Sequence, residues 1–220
     1  MGLGARRWAY LIALAPLAAS FVHHGRRPPV ADLVSDALVG VTIACLVTVL
    51  LAQQRRLLET AATDALTGCY TARRFVEELP LAVARAQRGG RPLTLMYLDL
   101  DNFKQVNDRH GHGKGNEVLT HFARCVKACI RTRVDLPFRV GGDEFAVILT
   151  DAKSSAAQIV GERLRNAISA EPHSLRALGV TVSIGAVELR DGESSEQFTA
   201  RADAAMYDAK RGGKDRVRTA

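Results

Sequence analysis

The sequence lacks the cysteine patterns of disulfide-stapled or zinc-bound domains. Its 220 residues include four cysteines, none of them in a CxxC pair, which excludes a disulfide scaffold and gives no sign of a zinc knuckle. Small buried thiols in a reducing compartment fit better. Internal repeats and low-complexity stretches are also missing, and a composition with 47% apolar and 24% charged residues excludes a disordered or fibrous chain. The cysteines are Cys45, Cys69, Cys125 and Cys129.

The sequence has no concentrated run of basic residues, although its formal net charge is +7. Of the 30 basic and 23 acidic residues, six arginines and three acidic residues lie within residues 1–60. The positive excess is therefore spread over both parts of the chain. This argues against a nucleic-acid-binding arm, so we expect no nucleic-acid partner. The length allows one ordinary domain plus an appendage.

Two apolar runs, 8–22 and 33–52, precede the rest of the chain. The first has 15 residues and contains Pro16, and the second has 20 residues with Asp36 near its outer end. A helix of 20 residues is about 30 Å long, which is the thickness of a bilayer core. Residues 1–52 are therefore predicted to be a membrane segment: one or two transmembrane helices, or a signal peptide followed by one helix. A pair of buried core helices is the alternative.

The segment that follows is predicted to be a helical linker at 53–63, and residues 64–220 are predicted to form the soluble domain. Arginine pairs flank both apolar runs, so charge alone does not determine the orientation. The loop 23–32 is too short for a folded sensor. The sequence therefore does not reveal an input signal or an effector protein.

Helix and strand patterns alternate from residue 64 onward. Helices are predicted at 71–88, 115–130, 155–169 and 196–211. Strands are predicted at 93–100, 138–140, 145–150, 179–189 and 216–219. The order β-α-β-β-α-β predicts an α+β domain, with a mostly antiparallel central sheet flanked by helices.

Carboxylates stand where predicted strands end. Asp99 and Asp101 close the LDLD strand, and Asp143 and Glu144 follow the Gly-Gly bend. Neighbouring strands would bring Asp99 and Asp143 together on one edge, where paired carboxylates suit one or two Mg²⁺ ions and substrate phosphates. The alternative is that such aspartates only cap turns.

Further residues fit a phosphate-binding role. The turn at Asn102, Phe103 and Lys104 is placed to present backbone N–H groups to phosphate oxygens, and Asn107 is placed to bond a base edge. The GxxxxGK[ST] pattern is absent, which disfavours a P-loop enzyme. Lys210 and Lys214 either complement a helix dipole or neutralise a triphosphate; the residues alone leave both open.

Residues 139–145 contain the sequence GGDEF, and the chain resembles the diguanylate cyclases that carry this signature. The resemblance covers about residues 64–217 and rests on further blocks in the same order. These blocks are DALTG at 64–68, DLDNFK at 99–104, Asn107-Asp108 with Gly111-His112, TVSIG at 181–185 and Ala209-Lys210. The resemblance implies a nucleotidyl-cyclase palm fold, which agrees with the predicted strand order.

The resemblance also implies an activity: condensation of two GTP into cyclic di-GMP and two pyrophosphates by a homodimer. Two Mg²⁺ or Mn²⁺ ions would be held by Asp99, the carbonyl of Leu100 and Asp143, and Asp143 or Glu144 would help to deprotonate the ribose 3′-hydroxyl. The implied substrate-binding residues are Asn102, Phe103, Lys104, Asn107, Asn116, Gly141, Gly142, Lys210 and Lys214. A GTP-dependent enzyme is expected at the bacterial inner membrane with its catalytic domain in the cytoplasm.

The chain departs from the family pattern at one position that bears on base selectivity and at one that bears on product inhibition. Asn116 replaces the usual guanine-binding aspartate, which puts base selectivity in doubt. Thr132 replaces the arginine of the product-inhibition motif RxxD, leaving Asp135 as a remnant, so weak or absent feedback is expected. Arg131 and Arg133 are expected to point elsewhere on a regular strand; the alternative is that one of them substitutes for the missing arginine. The departures leave two alternatives open: a GTP- or dinucleotide-binding regulatory domain without turnover, or a cyclase of relaxed base preference.

Overall fold

The computed structural model describes residues 30–60, 62–170 and 175–220. The chain divides into two compact units, Met1–Ala61 and Ala62–Ala220. The apolar run 8–22, predicted as a first span or signal peptide, lies outside the described residues.

The first unit contains one long described helix, α1 (Val30–Thr60). Its stretch Val34–Gln53 is long and apolar enough to cross a membrane, and length and composition are the only evidence for a span. The hydroxyls of Thr42 and Thr48 donate to carbonyls four residues earlier, each at 2.7 Å, which satisfies these polar groups within an apolar helix. The predicted linker begins as an uninterrupted continuation of this helix.

The second unit is built on a six-stranded sheet in the order β1-β3-β4-β2-β5-β6. The strands are β1 (Tyr70–Thr71), β2 (Leu93–Asp101), β3 (Leu136–Arg139), β4 (Glu144–Thr150), β5 (Thr181–Glu188) and β6 (Arg216–Thr219). The three central pairings are antiparallel, and the two outer ones are parallel. The predicted α+β domain with a mostly antiparallel sheet is confirmed; the short β1 was not predicted.

Four helices pack on this sheet. They are α2 (Ala72–Gly89), α3 (Phe103–Cys129), α4 (Ser154–Ser169) and α5 (Ser195–Arg211), with a 3-10 turn at Leu175–Leu178. α3 starts twelve residues earlier than the predicted helix at 115–130, so the glycine-rich stretch is helical rather than a loop. Gly111, at φ 78° and ψ 164°, kinks this helix, because glycine reaches the left-handed region without strain.

Hydrophobic clusters cover both faces of the sheet, and β2 is therefore buried on both sides. Met96 and Leu98 belong to the cluster with α3 and α4, whereas Leu95 belongs to the cluster with α2 and α5. This alternation follows from the two-residue period of a strand. Burial on both faces explains why the strand is a continuous apolar run up to its terminal carboxylates.

Gly185 on β5 is required for the packing of α5. A Cβ atom at this position would overlap the backbone of Ala202 and Met206. We therefore expect Gly185→Ala to destabilise the soluble domain by about 1–3 kcal/mol, the usual cost of overpacking. Gly113→Ala is the matched control, since a Cβ there meets nothing within 4 Å. Chemical denaturation of both variants checks this, and equal stability of the two would contradict it.

Candidate active site

The sheet places the end of β2 beside the signature hairpin. Asp99 pairs in register with Glu144 on β4, and the Leu100 amide donates to the carbonyl of Asp143 at 3.3 Å. This edge borders a cavity of about 730 Å³. The cavity is lined by Asp99, Leu100, Asp101, Asn102, Phe103, Lys104, Gln105, Asp108, Asp143, Lys210 and Lys214. Eight of the thirteen residues singled out as metal, catalytic or substrate-binding groups therefore line one cavity.

The best-defined charge contact in this cavity joins Asp99 to Lys210. The Lys210 ammonium, at the end of α5, lies 2.7 Å from a carboxylate oxygen of Asp99, whose side chain is 8% exposed. Burial raises the pKa of Asp99 to about 6, although the hydrogen bond and charge of Lys210 oppose the rise. Asp143 and Glu144 add repulsion to the same carboxylate. These charges therefore favour binding of an additional cation beside the Asp99 carboxylate.

Lys210 shows the reciprocal effect. Burial lowers the pKa of its ammonium, but the hydrogen bond and charge of Asp99, with Asp143 and Glu144, outweigh that and hold the pKa above its ordinary value. The lysine is therefore a permanent cation facing the carboxylates.

The turn after β2 lines the cavity and leads directly into α3. Asn102 has a left-handed backbone (φ 63°), and α3 begins immediately after it at Phe103. The first N–H groups of a helix have no intrahelical partner and carry partial positive charge. Lys104 adds an exposed cation in the same turn. The arrangement suits an anionic ligand such as a phosphate chain.

Asn107 and Asn116 are not among the residues that line this cavity. The Asn107 Oδ1 atom is buried and has no hydrogen-bond partner within the described residues. Gly115 packs directly against it, since a Cβ there would overlap that oxygen. Asn116 borders a separate cavity of about 500 Å³ together with Leu66. An unsatisfied amide oxygen favours a ligand that offers an N–H donor.

The residues of the signature hairpin differ in what surrounds them. Gly141 is tightly packed, because a Cβ would overlap the Glu144 carboxylate, whereas Gly142 has open space around it. The Glu144 side chain lines a groove between α2 and α5, with Tyr97 and Val140, rather than the cavity at Asp99. Asp143 lines the cavity itself, so the two acidic residues of the signature face different surroundings.

Arg139 is a structural residue of the site that the sequence analysis did not single out. Its guanidinium donates to the Gly142 carbonyl at 2.7 Å and to both oxygens of Asp64 at 3.2 and 3.3 Å. Asp64 also accepts from the Thr67 amide and hydroxyl. Burial acts to raise the pKa of Asp64, but Thr67 and Arg139 together hold it below its ordinary value. The DALTG block thereby anchors the signature turn.

The remnant Asp135 is already bound by a neighbouring arginine. Arg131 donates to both carboxylate oxygens, at 2.7 and 3.0 Å, and its backbone amide donates at 2.9 Å. The expectation that Arg131 lies on a regular strand is wrong, because residues 131–135 form a turn with Arg133 at φ 64°. A turn folds the chain back, so a side chain four residues away reaches the aspartate.

The donor set at the end of β2 fits a hard divalent cation. The carboxylates of Asp99 and Asp143 and the carbonyl of Leu100 are all oxygen ligands, the kind that Mg²⁺ and Mn²⁺ prefer. Within the described ranges, no group of three or more His, Cys, Asp or Glu side chains is close enough to hold a metal. A metal here would therefore use two carboxylates at most and complete its shell with carbonyl, water or phosphate oxygens.

An α+β sheet with paired strand-end carboxylates facing lysines across a cavity defines a nucleotidyl-cyclase domain. A family model described as diguanylate cyclase, GGDEF domain, matches residues 61–216, and the chain belongs to this nucleotidyltransferase family. The chain is 39% identical over 165 residues to the response regulator PleD of Caulobacter vibrioides, covering 73% of this chain and 36% of PleD. It is also 39% identical over 155 residues to diguanylate cyclase DgcS of Shewanella oneidensis, covering 70% of this chain and 51% of DgcS.

Solved structures show the same fold. The GGDEF domain of DgcB from Caulobacter crescentus, in complex with c-di-GMP, superposes with a TM-score of 0.68 at 35% identity, covering 72% of this chain and 95% of DgcB. Diguanylate cyclase SiaD from Pseudomonas aeruginosa, in complex with its activator SiaC, gives 0.67 at 32% identity, covering 98% of this chain and 86% of SiaD. The chain spans about a third to a half of the length of the curated relatives PleD and DgcS.

The raised pKa of Asp99 predicts a pH-dependent stability in the absence of metal. The pKa of Asp99 is higher in the folded protein than in the unfolded chain. The contribution of Asp99 to the free energy of unfolding is therefore complete below about pH 4 and is lost as the pH rises through about 6. Asp99→Asn removes the buried charge, so the variant should unfold at a higher temperature than wild type near pH 7.5 and at about the same temperature near pH 3.5. The full difference is at most about 3 kcal/mol.

Thermal unfolding of the full chain in detergent with a chelator checks this. Asp151→Asn is the control, because Asp151 is exposed and directly follows the far end of β4. A stabilisation by Asp99→Asn that is the same at both pH values would contradict the pKa argument.

Proposed function

We propose that this protein is a membrane-anchored diguanylate cyclase that condenses two GTP molecules into cyclic di-GMP and releases two pyrophosphates. The observation that carries the proposal is the cavity in which Asp99 and Asp143 face Lys210 and Lys214 inside a GGDEF domain. Two solved structures of DgcB are complexes with c-di-GMP, which supports the same nucleotide class.

Two Mg²⁺ or Mn²⁺ ions would be held by Asp99, the Leu100 carbonyl and Asp143, and when bound they would polarise the reacting oxygens. Asp143, or Glu144 after a side-chain movement out of its groove, would take the proton of the ribose 3′-hydroxyl. The freed 3′-oxygen then bonds to the α-phosphorus of the other GTP, and the bond to pyrophosphate breaks. Positioning and electrostatics supply most of the rate acceleration in such transfers.

The remaining residues would bind and orient GTP. Lys210, Lys214 and the backbone amides of Asn102, Phe103 and Lys104, at the start of α3, would hold the triphosphate. Gly142 would allow close approach of the nucleotide to the hairpin backbone, and Gly141 would leave room beside it for the Glu144 side chain.

Asn107 would bind the guanine, because its Oδ1 atom needs a donor and guanine offers N–H groups. Asn116 would contribute beside it. An amide can accept at its oxygen only, whereas the carboxylate that is usual in the family accepts twice. Preference for GTP over ATP is therefore expected to be reduced.

A homodimer is part of the proposal, because the product has two-fold symmetry and each domain would bind one GTP. Two domains facing each other about a two-fold axis present both 3′-hydroxyls to both α-phosphates. The candidate span Val34–Gln53 would anchor the chain in the bacterial inner membrane. GTP is a cytoplasmic substrate, so the catalytic domain would lie in the cytoplasm.

The test is a turnover assay with the product identified by mass. The full chain in detergent with GTP and Mg²⁺ should form cyclic di-GMP and pyrophosphate, and Asp143→Asn should lower the rate by about a hundredfold or more, as expected for loss of an electrostatic group at the reacting centre. Asp151→Asn should retain the rate of wild type, because Asp151 pairs with Arg91 away from the cavity. Equal rates for Asp143→Asn and wild type would refute the assignment.

The same assay separates the alternatives. Binding of a non-hydrolysable GTP analogue without product at high protein concentration would indicate the regulatory domain without turnover. With GTP and ATP mixed, dinucleotides that contain adenine would show relaxed base selectivity caused by Asn116.

Weak product inhibition is a separate expectation. Thr132 supplies no cation, and Arg131 already occupies Asp135, so added cyclic di-GMP should leave the initial rate of wild type nearly unchanged. Thr132→Arg adds the missing cation and is expected to make the rate more sensitive to product. Initial rates across a product titration measure this. Strong inhibition of wild type at micromolar product would contradict it.

A further inference from the structure

The end of β2 carries a second buried carboxylate that the proposed reaction does not use. Asp101 is 2% exposed. Its Oδ1 atom accepts from the Ser183 hydroxyl at 2.8 Å, and its Oδ2 atom accepts from the Thr181 hydroxyl at 2.7 Å and from the Asp215 backbone N–H at 3.1 Å. Both oxygens therefore bond to β5 or to the turn between α5 and β6.

That turn has a conformation that its own residues do not favour. Lys214 and Asp215 lie at φ 61° and φ 42°, in the left-handed region that favours glycine. Such residues persist where the surrounding contacts over-determine them. The Asp215 N–H is held by Asp101, and its side chain is held by Arg165 of α4 at 2.9 Å.

A second contact joins the same two segments. The Asn102 side-chain amide donates to the Gly179 carbonyl at 3.0 Å, and its oxygen accepts from the Lys214 ammonium at 2.8 Å. Asp101 and Asn102, at the end of β2, thus bond to Asp215 and Lys214 of the turn. Lys214 lines the cavity, and its ammonium is held there by the Asn102 oxygen.

We propose that Asp101 is a positioning residue that holds the α5–β6 turn so that Lys214 faces the triphosphate of the substrate. The inference rests on the proposed function for the identity of that ligand. Asp101 acts through Lys214 and does not touch the nucleotide. Its geometry also distinguishes it from a metal ligand, because the Asp215 N–H is a fixed backbone donor already directed at its Oδ2 atom.

The hydrogen-bond pattern makes Asp101→Asn an informative variant. With its oxygen on the Oδ2 side, an asparagine accepts from Asp215 and Thr181, and its NH₂ group donates to the Ser183 hydroxyl. This variant retains the geometry and loses the charge. Asp101→Ala loses both.

The test is equilibrium binding of a non-hydrolysable GTP analogue and of GMP to the full chain in detergent. Asp101→Ala should weaken binding of the analogue by about tenfold, the value of one hydrogen bond to a charged group, and leave GMP binding unchanged. Lys214→Ala should do the same, and the double variant should be no weaker than either single one. Asp101→Asn should bind the analogue as wild type does.

Arg165→Met provides a second variant without a change in the buried carboxylate. This variant frees the Asp215 side chain from its contact with α4. It should weaken binding of the GTP analogue, as Asp101→Ala does, and only when Lys214 is present. Hydrogen exchange of the peptide that contains residues 212–217 should become faster in Asp101→Ala and remain slow in Asp101→Asn. This readout does not depend on nucleotide.

The outcomes separate the inference from the proposed function. Additive losses in the double variant, or unchanged exchange at 212–217 in Asp101→Ala, would overturn the positioning role even if wild type makes cyclic di-GMP. An Asp101→Asn variant that needs more Mg²⁺ would make Asp101 a metal ligand and overturn it as well. If the losses of analogue binding in the double variant are not additive and wild type makes no cyclic di-GMP, the positioning role is supported and the cyclase activity is refuted. A wild type that binds no analogue would refute both.

Discussion

The register of β2 between β4 and β5 is the constraint on which the site depends. It places Asp99 opposite Glu144 on one side and Ser183 on the other, and it places Asp101 opposite Thr181. Side chains in a strand alternate between faces, so a shift by one residue would turn both carboxylates away from their partners. The apolar residues earlier in β2 fix this register, because they must reach both cores.

Two charge arrangements follow from that register. Asp99 faces Lys210 at the end of α5, in surroundings that disfavour its charged form. Asp101 instead receives only hydroxyl and backbone donors among its described contacts, and these connect it to the turn after α5. The same strand end thus supplies one carboxylate to the cavity and uses the other to hold a cation-bearing turn. The helix α5 is common to both, since Gly185 lets it lie close against β5.

Most of the elements were predictable because their patterns are local. The apolar run of β2, the periodic helix α5 and the glycine bend before Glu144 were each recognised from neighbouring residues. The errors have a different origin. The start of α3 was predicted too late because Gly111, Gly113 and Gly115 suggested a loop, and the helix tolerates them with one kink.

A contact between distant residues and one unpredicted turn account for what was missed. Arg139 holds the signature turn to Asp64 across 75 positions, and Arg131 reaches Asp135 only because the chain turns between them. The sequence by itself determined the α+β class, the family and the set of carboxylates and lysines, since these depend on residue type and local order. Only the tertiary structure decided which of them share a cavity, that Glu144 faces a different groove, and that Asp101 holds the Lys214 turn. These depend on strand pairing and helix packing, which place residues far apart in the chain within hydrogen-bond distance.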